Sequence, residues 1–311
     1  MFTKKIRKSI SYFLQWVGMS VSSALIRLFP MRYLYAIARL FAFVGYRLLK
    51  KQRLIALESL SLAFGKEKTP QEIEKISKEC FTNIAKGGAE IIYLMDKPAL
   101  LKSRVEIKGK ENLDAALNRG KGIILVSAHF GNFPLLLAKL SLEGYNVNGI
   151  MRPMRNQLAE KFFKKKRVRL NIKTIYSIPR NTCVFTSIRA LRNNEMLFIP
   201  LDQNFGTGGV FVNFFGHQAA TATGPVVLAL RTGAVILPCF ISRNPDDTHV
   251  LVFDAPVELE ETGDENETIR GAVQKITDII ELHIRRSPSE WGWIHRRWKT
   301  RPKQSSEENM F

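Results

Sequence analysis

From residue 105 onward the chain is a succession of short apolar runs. After residues 105–108 they fall at 123–126, 147–151, 172–176, 196–201, 234–241 and 249–253. Helical patterns separate most of them, and that alternation predicts an α/β fold, a mostly parallel sheet with helices on both faces. The run at 123–126 does not alternate and follows the turn signal Gly120-Lys-Gly122, the pattern of a parallel strand buried on both faces. Just beyond it comes Ser127-Ala-His129-Phe-Gly-Asn132, with Asn132 placed as a helix N-cap and Pro134 in a first helical turn.

The first hundred residues follow a different pattern. Lys4, Lys5, Arg7 and Lys8 precede an uncharged apolar stretch, residues 9–26, that just reaches spanning length. No small-residue cleavage site ends it before Arg27, so a retained membrane anchor is expected over residues 1–30, an interfacial helix being the alternative. Pro30 opens a second apolar helix over residues 31–49, on which Arg32, Arg39 and Arg47 fall within roughly a quarter turn. A single basic stripe predicts a helix in the membrane interface, its arginines reaching lipid phosphates; the alternative is a core helix with a solvated edge. Thr69-Pro70-Gln71-Glu72 is a capping box opening a helix whose packed face carries Ile73, Ile76, Cys80, Phe81, Ile84, Ile91 and Ile92. The expected organisation is an anchor (1–30), a helical, partly interfacial region (31–104), an α/β domain (105–302) and a disordered charged tail (303–311).

Composition narrows the partners. With 311 residues and 45% hydrophobic content the chain can bury a core, and a formal net charge of +19 points to an anionic partner: nucleic acid, a lipid surface or an acidic protein. Cys80, Cys183 and Cys239 are odd in number and lack CxxC spacing, which fits reduced thiols rather than a disulfide framework or a zinc site. The five histidines are too scattered to suggest a metal site. There is no G-x-S-x-G elbow, Walker loop or H-E-x-x-H, and Gly206-Thr-Gly208-Gly209 lacks the third glycine of a dinucleotide fingerprint, so no cofactor is expected.

Two polar residues stand where α/β sheets place chemistry. His129 ends one predicted strand and faces a helix N-terminus; Asp202 ends another, so a parallel sheet would put both on one edge. Each has a plain structural reading, hydrogen bonding its loop or capping a turn. The loop 206–216, with Phe205, Phe211, Phe214 and Phe215, is aromatic enough either to wall an apolar channel or to fold back as core. The run from Glu160 to Arg169 is strongly basic, and most such runs are solvated helix faces.

Ser127-Ala-His129-Phe-Gly-Asn132-Phe resembles the core motif of the late acyltransferases of lipid A biosynthesis, within the lysophospholipid acyltransferase superfamily. Further similarities follow in order at Arg152-Pro153, Asp202-Gln203, residues 209–216, Ala222-Thr223-Gly224, Leu230-Arg231 and Trp291-Gly-Trp293-Ile-His295-Arg-Arg-Trp298. One departure is plain: the family carries an acidic residue five positions after the histidine, where this chain has Pro134. The resemblance implies transfer of a fatty acyl chain from acyl carrier protein to a hydroxyl of a membrane glycolipid, a lipid A precursor, at the cytoplasmic face of the bacterial inner membrane. It implies His129 as general base and backbone N–H groups of the helix from Asn132 as oxyanion donors, with Asp202 as the best carboxylate partner since Pro134 has none. Arg152, Arg167 and Arg169 are expected to hold substrate phosphates, a task suited to guanidinium, and Gln203 to bind substrate. Rival readings are an acyltransferase with another acceptor (phosphoglycolipid, lysophospholipid or aminolipid) and a basic membrane-tethered binding protein without activity. No motif supports nucleic acid.

Overall fold

The computed structural model describes residues 2–302 apart from Arg27 and Glu261; the tail expected to be disordered lies outside them. Helices α1 (Phe2–Ile26), α2 (Met31–Leu48), α3 (Lys50–Phe64), α4 (Pro70–Leu94) and α5 (Pro98–Arg104) lead into β1 (Val105–Lys108). Alternation follows: α6 (Lys110–Asn118), β2 (Ile123–Ser127), α7 (Phe133–Leu142), β3 (Val147–Met151), α8 (Gln157–Arg169), β4 (Lys173–Tyr176), α9 (Arg180–Arg192) and β5 (Met196–Pro200). After a hairpin of β6 (Val210–Phe214) and β7 (His217–Thr221) come α10 (Gly224–Thr232), β8 (Val235–Arg243), β9 (His249–Phe253) and α11 (Glu265–Arg286).

Among the described residues, the main sheet has the order β1-β9-β8-β2-β5-β3-β4. It is parallel except where β9 turns back along β8. Every residue of β2 is buried. Its side chains alternate between two cores, Ile124 and Val126 packing with α3, α4, α10 and α11, and Ile123 and Leu125 with α5, α6 and α7. That is why its sequence shows no polar alternation.

The N-terminal helices build onto this body. Among the described residues no helix is long and apolar enough to cross a membrane. This corrects the spanning anchor expected from residues 9–26: serines and Gln15 interrupt the apolar stretch of α1, and α1 lies along the protein. There the Asn156 amide donates to the Tyr12 carbonyl at 3.1 Å and to the Gln15 side chain at 3.2 Å. Helix α2 buries Leu34, Tyr35, Ala38, Ala42 and Tyr46, packing on α4, while Leu40, Phe41 and Leu48 on its far side are exposed. At the start of α4 both hydrogen bonds of the capping box form, Thr69 with Glu72. Ile84, expected on the packed face, is exposed.

A buried polar cluster ties these helices to the sheet. Glu90 on α4 is fully buried and accepts two hydrogen bonds from the Arg243 guanidinium at the end of β8, one of them at 2.9 Å. Tyr35 O–H donates to it at 2.8 Å, the Asn132 amide at 2.9 Å, and the His249 ring lies at 3.1 Å. Burial alone would raise the Glu90 pKa, but His249 and Arg243 hold it well below the ordinary carboxylate range. Its ionised form therefore stabilises the fold above the ordinary value of about 4.3, and that contribution is lost as pH falls toward the lowered one. Glu90→Ala removes the two-oxygen partner of buried Arg243, leaving it Asp247 at 3.3 Å, and is expected to cost about 3–5 kcal/mol in urea unfolding at neutral pH. A cost below about 1 kcal/mol would mean that the cluster does not hold the helices to the sheet.

Candidate active site

Strand register brings the two candidate groups together. In the parallel pairing of β2 with β5, Ser127 stands opposite Pro200, so His129 and Asp202 each lie two residues beyond the same rung. The ring Nδ1 of His129 is 2.8 Å from Asp202 Oδ1. The chain leaves β2 through Gly131, at φ +55°, where an added Cβ would stand 1.7 Å from the Ile241 carbonyl oxygen; only glycine fits that turn.

Asp202 is 1% exposed, and both of its oxygens face donors. The Trp291 indole N–H donates to Oδ2 at 2.7 Å, and His295 Nε2 lies 4.0 Å from the same oxygen. Burial would raise the pKa of Asp202, but His129, His295 and Trp291 together hold it well below the usual range, so it is ionised. His129 feels opposing influences: burial lowers its pKa, and the Asp202 charge and hydrogen bond outweigh that and raise it. For His295 burial dominates and the pKa is lowered. One carboxylate thus serves a histidine that binds a proton more readily than usual and lies near a second that binds one less readily.

Trp291 and His295 belong to a C-terminal segment whose motif showed a likeness but no task for these two residues. Phe130 forms an isolated antiparallel bridge with Trp291, and the Gly131 amide donates to the Glu290 carbonyl at 2.9 Å. The segment thereby closes over the His129 loop. Its one local signal is the density of large aromatics at 291–298, which fits a buried cap rather than a solvated tail.

The other expected site residues separate into two groups. Gln203 Nε2 is 3.3 Å from His129 Nε2, the ring nitrogen left free by Asp202. Arg152 is exposed just past β3, on the same edge of the sheet. Asn132 corrects the expectation of a capping side chain: it precedes α7 but makes no capping hydrogen bond, and its side chain points into the protein toward Gly87 and Glu90. Arg167 and Arg169 correct the expectation of phosphate ligands. A crossover helix must run back to the opposite edge, so the C-terminal end of α8 lies roughly 18 Å from its start. From there the Arg167 side chain reaches back to Glu160 and to Thr174 at 2.9 Å and lines the apolar cavity that also holds Pro134, while Arg169 lies 3.6 Å from Asp96.

The aromatic loop folds back as core for Phe214 and Phe215, which are buried against Trp291, Trp293 and Trp298. An apolar cavity opens elsewhere, beside Pro134. It measures about 280 Å³ and is lined by Ile91, Met95, Phe133, Pro134, Leu137 and Met151 among others, with Arg167, paired to Glu160, as its one charged member. The Phe133 ring sits edge-on to the His129 ring, centroids 5.2 Å apart, so Phe133 is a neighbour of both the cavity and the histidine.

Residues 1–300 match the family model of bacterial lipid A biosynthesis acyltransferases. The chain is 28% identical over 294 residues to the lipid A biosynthesis lauroyltransferase of Escherichia coli K12, covering 94% of this chain and 93% of that protein. It is 30% identical over 302 residues to the lipid A biosynthesis palmitoleoyltransferase of the same organism, with 94% and 92% covered. A phosphatidylinositol mannoside acyltransferase of Mycobacterium tuberculosis is 24% identical over 193 residues, 62% of this chain and 59% of that protein. With its fold, its histidine motif and nearly its whole length accounted for, the chain belongs to the bacterial lipid A biosynthesis acyltransferase family.

Proposed function

We propose that this protein transfers a fatty acyl chain from an acyl carrier protein thioester to a hydroxyl of a membrane glycolipid, a lipid A precursor. The observation that carries this reading is the His129–Asp202 pair at the carboxyl edge of the parallel sheet. Asp202 accepts from the ring Nδ1–H and leaves the Nε2 lone pair as the base. That nitrogen, where the Gln203 amide now lies, takes the proton of the acceptor hydroxyl as its oxygen attacks the thioester carbonyl. The new C–O bond forms, the tetrahedral intermediate collapses, the C–S bond breaks and His129 returns the proton to the leaving thiolate. No covalent enzyme intermediate is required. The Gly131 amide is committed to Glu290 and Pro134 has none, so the oxyanion falls to the amides of Asn132 and Phe133 at the mouth of α7.

The cavity beside Pro134 suits the acyl chain of the donor. Pro134 forms part of its apolar wall, while Asp202 supplies the carboxylate to His129. Exposed Arg152 suits acceptor phosphates, and the basic exposed face of α8 suits an acidic carrier protein. The exposed apolar sides of α1 and α2 support a protein seated at a membrane surface, the cytoplasmic face of the inner membrane being where acyl carrier protein is met. The mycobacterial relative favours a second reading, in which the acceptor is a phosphoglycolipid.

The test is acyl transfer by purified protein from labelled acyl carrier protein, with a lipid A precursor and a phosphoglycolipid supplied in parallel. His129→Ala is expected to lower kcat by about 10²- to 10⁴-fold. Asp202→Asn should lose a large part of that factor and the double variant little more, because groups acting as one unit are non-additive. Near-normal rates in Asp202→Asn would remove it from the mechanism. Filling the cavity with Leu137→Phe is expected to shift preference toward shorter acyl donors by roughly tenfold or more while short donors still turn over. A uniform loss across donor lengths would place the chain elsewhere.

A further inference from the structure

The groove between α2 and α4 has no part in the chemistry above. It is a cavity of about 560 Å³, with Arg39, Arg47, Arg53 and Lys78 on its walls together with the rings of Phe43 and Tyr46. Glu74 is the carboxylate among its lining residues, and it lies 2.9 Å from Lys78. Arg39 lies 3.9 Å from Asp247, a loose pairing, and its side chain remains 59% exposed. Arg47 stacks on Phe43, its guanidinium carbon 3.4 Å from the ring centroid, and Arg53 donates to the Tyr46 carbonyl at 3.2 Å. Each of these guanidiniums has five N–H donors, so both keep donors for a ligand while stacking and backbone contacts fix their direction.

The surroundings indicate what the ligand is attached to. At 3.6 residues per turn, the basic residues of α2 occupy the arc between its buried side and the side that exposes Leu40, Phe41, Val44 and Leu48. The helix therefore presents three sectors in order: protein core, cation, exposed hydrocarbon. A molecule that satisfies the last two at once carries a negative head and apolar tails. We infer that the α2–α4 groove binds the phosphate-bearing headgroup of an anionic lipid, at a site separate from the His129 cleft. On α4, Lys78 is roughly 18 Å from Glu90, the residue that reaches Asn132 behind that cleft. The site rests on the membrane-facing reading above and names the group through which the membrane is held.

The experiment uses the full-length protein and two charge-matched variants. One is Arg39→Gln/Arg47→Gln/Arg53→Gln in the groove; the other is Lys161→Gln/Lys164→Gln/Lys165→Gln, on the exposed side of α8. Binding is measured to vesicles of phosphatidylcholine with and without phosphatidylglycerol. Soluble short-chain phosphatidylglycerol and inorganic phosphate serve as competitors, and circular dichroism checks that each variant is folded. The groove variant is expected to lose about tenfold or more of its affinity for phosphatidylglycerol vesicles, and the α8 variant to stay within about twofold. Short-chain phosphatidylglycerol should displace the wild-type protein at concentrations where inorganic phosphate does not. Equal losses in both variants would show a diffuse charge effect and overturn the site. Equal displacement by inorganic phosphate would make it a free-phosphate site and overturn the lipid assignment. If the wild-type protein bound no vesicle of either composition, the membrane-facing reading itself would fail.

Discussion

A carboxylate buried as deeply as Asp202 is tolerable only with partners, since an unpaired buried charge costs several kcal/mol. Its partners come from two distant parts of the chain: His129 from the end of β2, Trp291 and His295 from the C-terminal segment. Satisfying this one group therefore fixes the β2–β5 register, the turn at Gly131 and the closure of the 291–298 segment. The same requirement sets the chemistry, because a carboxylate held ionised by Nδ1–H leaves Nε2 as the basic nitrogen of His129.

Pro134 shows how the site departs from the pattern that its motif resembles. The helix after the motif begins with a proline whose missing N–H costs nothing in the first turn, but which offers no carboxylate to the ring. Asp202 supplies one from the adjacent strand. Behind the loop, Glu90 grips the Asn132 side chain, so that the His129 turn is held on its inner side by an ion cluster reaching α2, α4, β8 and β9. Rigidity here has a functional consequence, since a base displaced by about an ångström can lose a large factor in rate.

Much of this was legible in the sequence wherever a local rule applied. The unbroken apolar run before His129 marked a central parallel strand, and the apolar run before Asp202 marked a second; two strand ends in a parallel sheet share an edge. The capping box at Thr69 was readable because its hydrogen bonds are local. What was not readable depends on tertiary direction. Arg167 and Arg169 follow Arg152 closely in sequence, yet Glu160 and Thr174 engage the first and Asp96, beyond the end of α4, lies beside the second. The hairpin β6–β7 hid inside a loop rich in phenylalanine, since its residues become core only against tryptophans dozens of positions later. An uncharged stretch near spanning length proved to be a helix lying along the protein, because serine and glutamine dilute its hydropathy without adding charge.

The central claim is that Asp202 sets both the tautomer and the proton affinity of His129. It is tested most directly by nitrogen-15 NMR of histidine-labelled protein, titrated from about pH 5 to about pH 9. Burial acting alone would drive the midpoint down; the adjacent carboxylate is predicted to raise it above the ordinary value of about 6.5. Above that midpoint the neutral ring should carry its proton on Nδ1, and Asp202→Asn should bring the midpoint down. A neutral ring protonated on Nε2, or a midpoint below the ordinary value that Asp202→Asn leaves unmoved, would contradict the pairing on which the account rests.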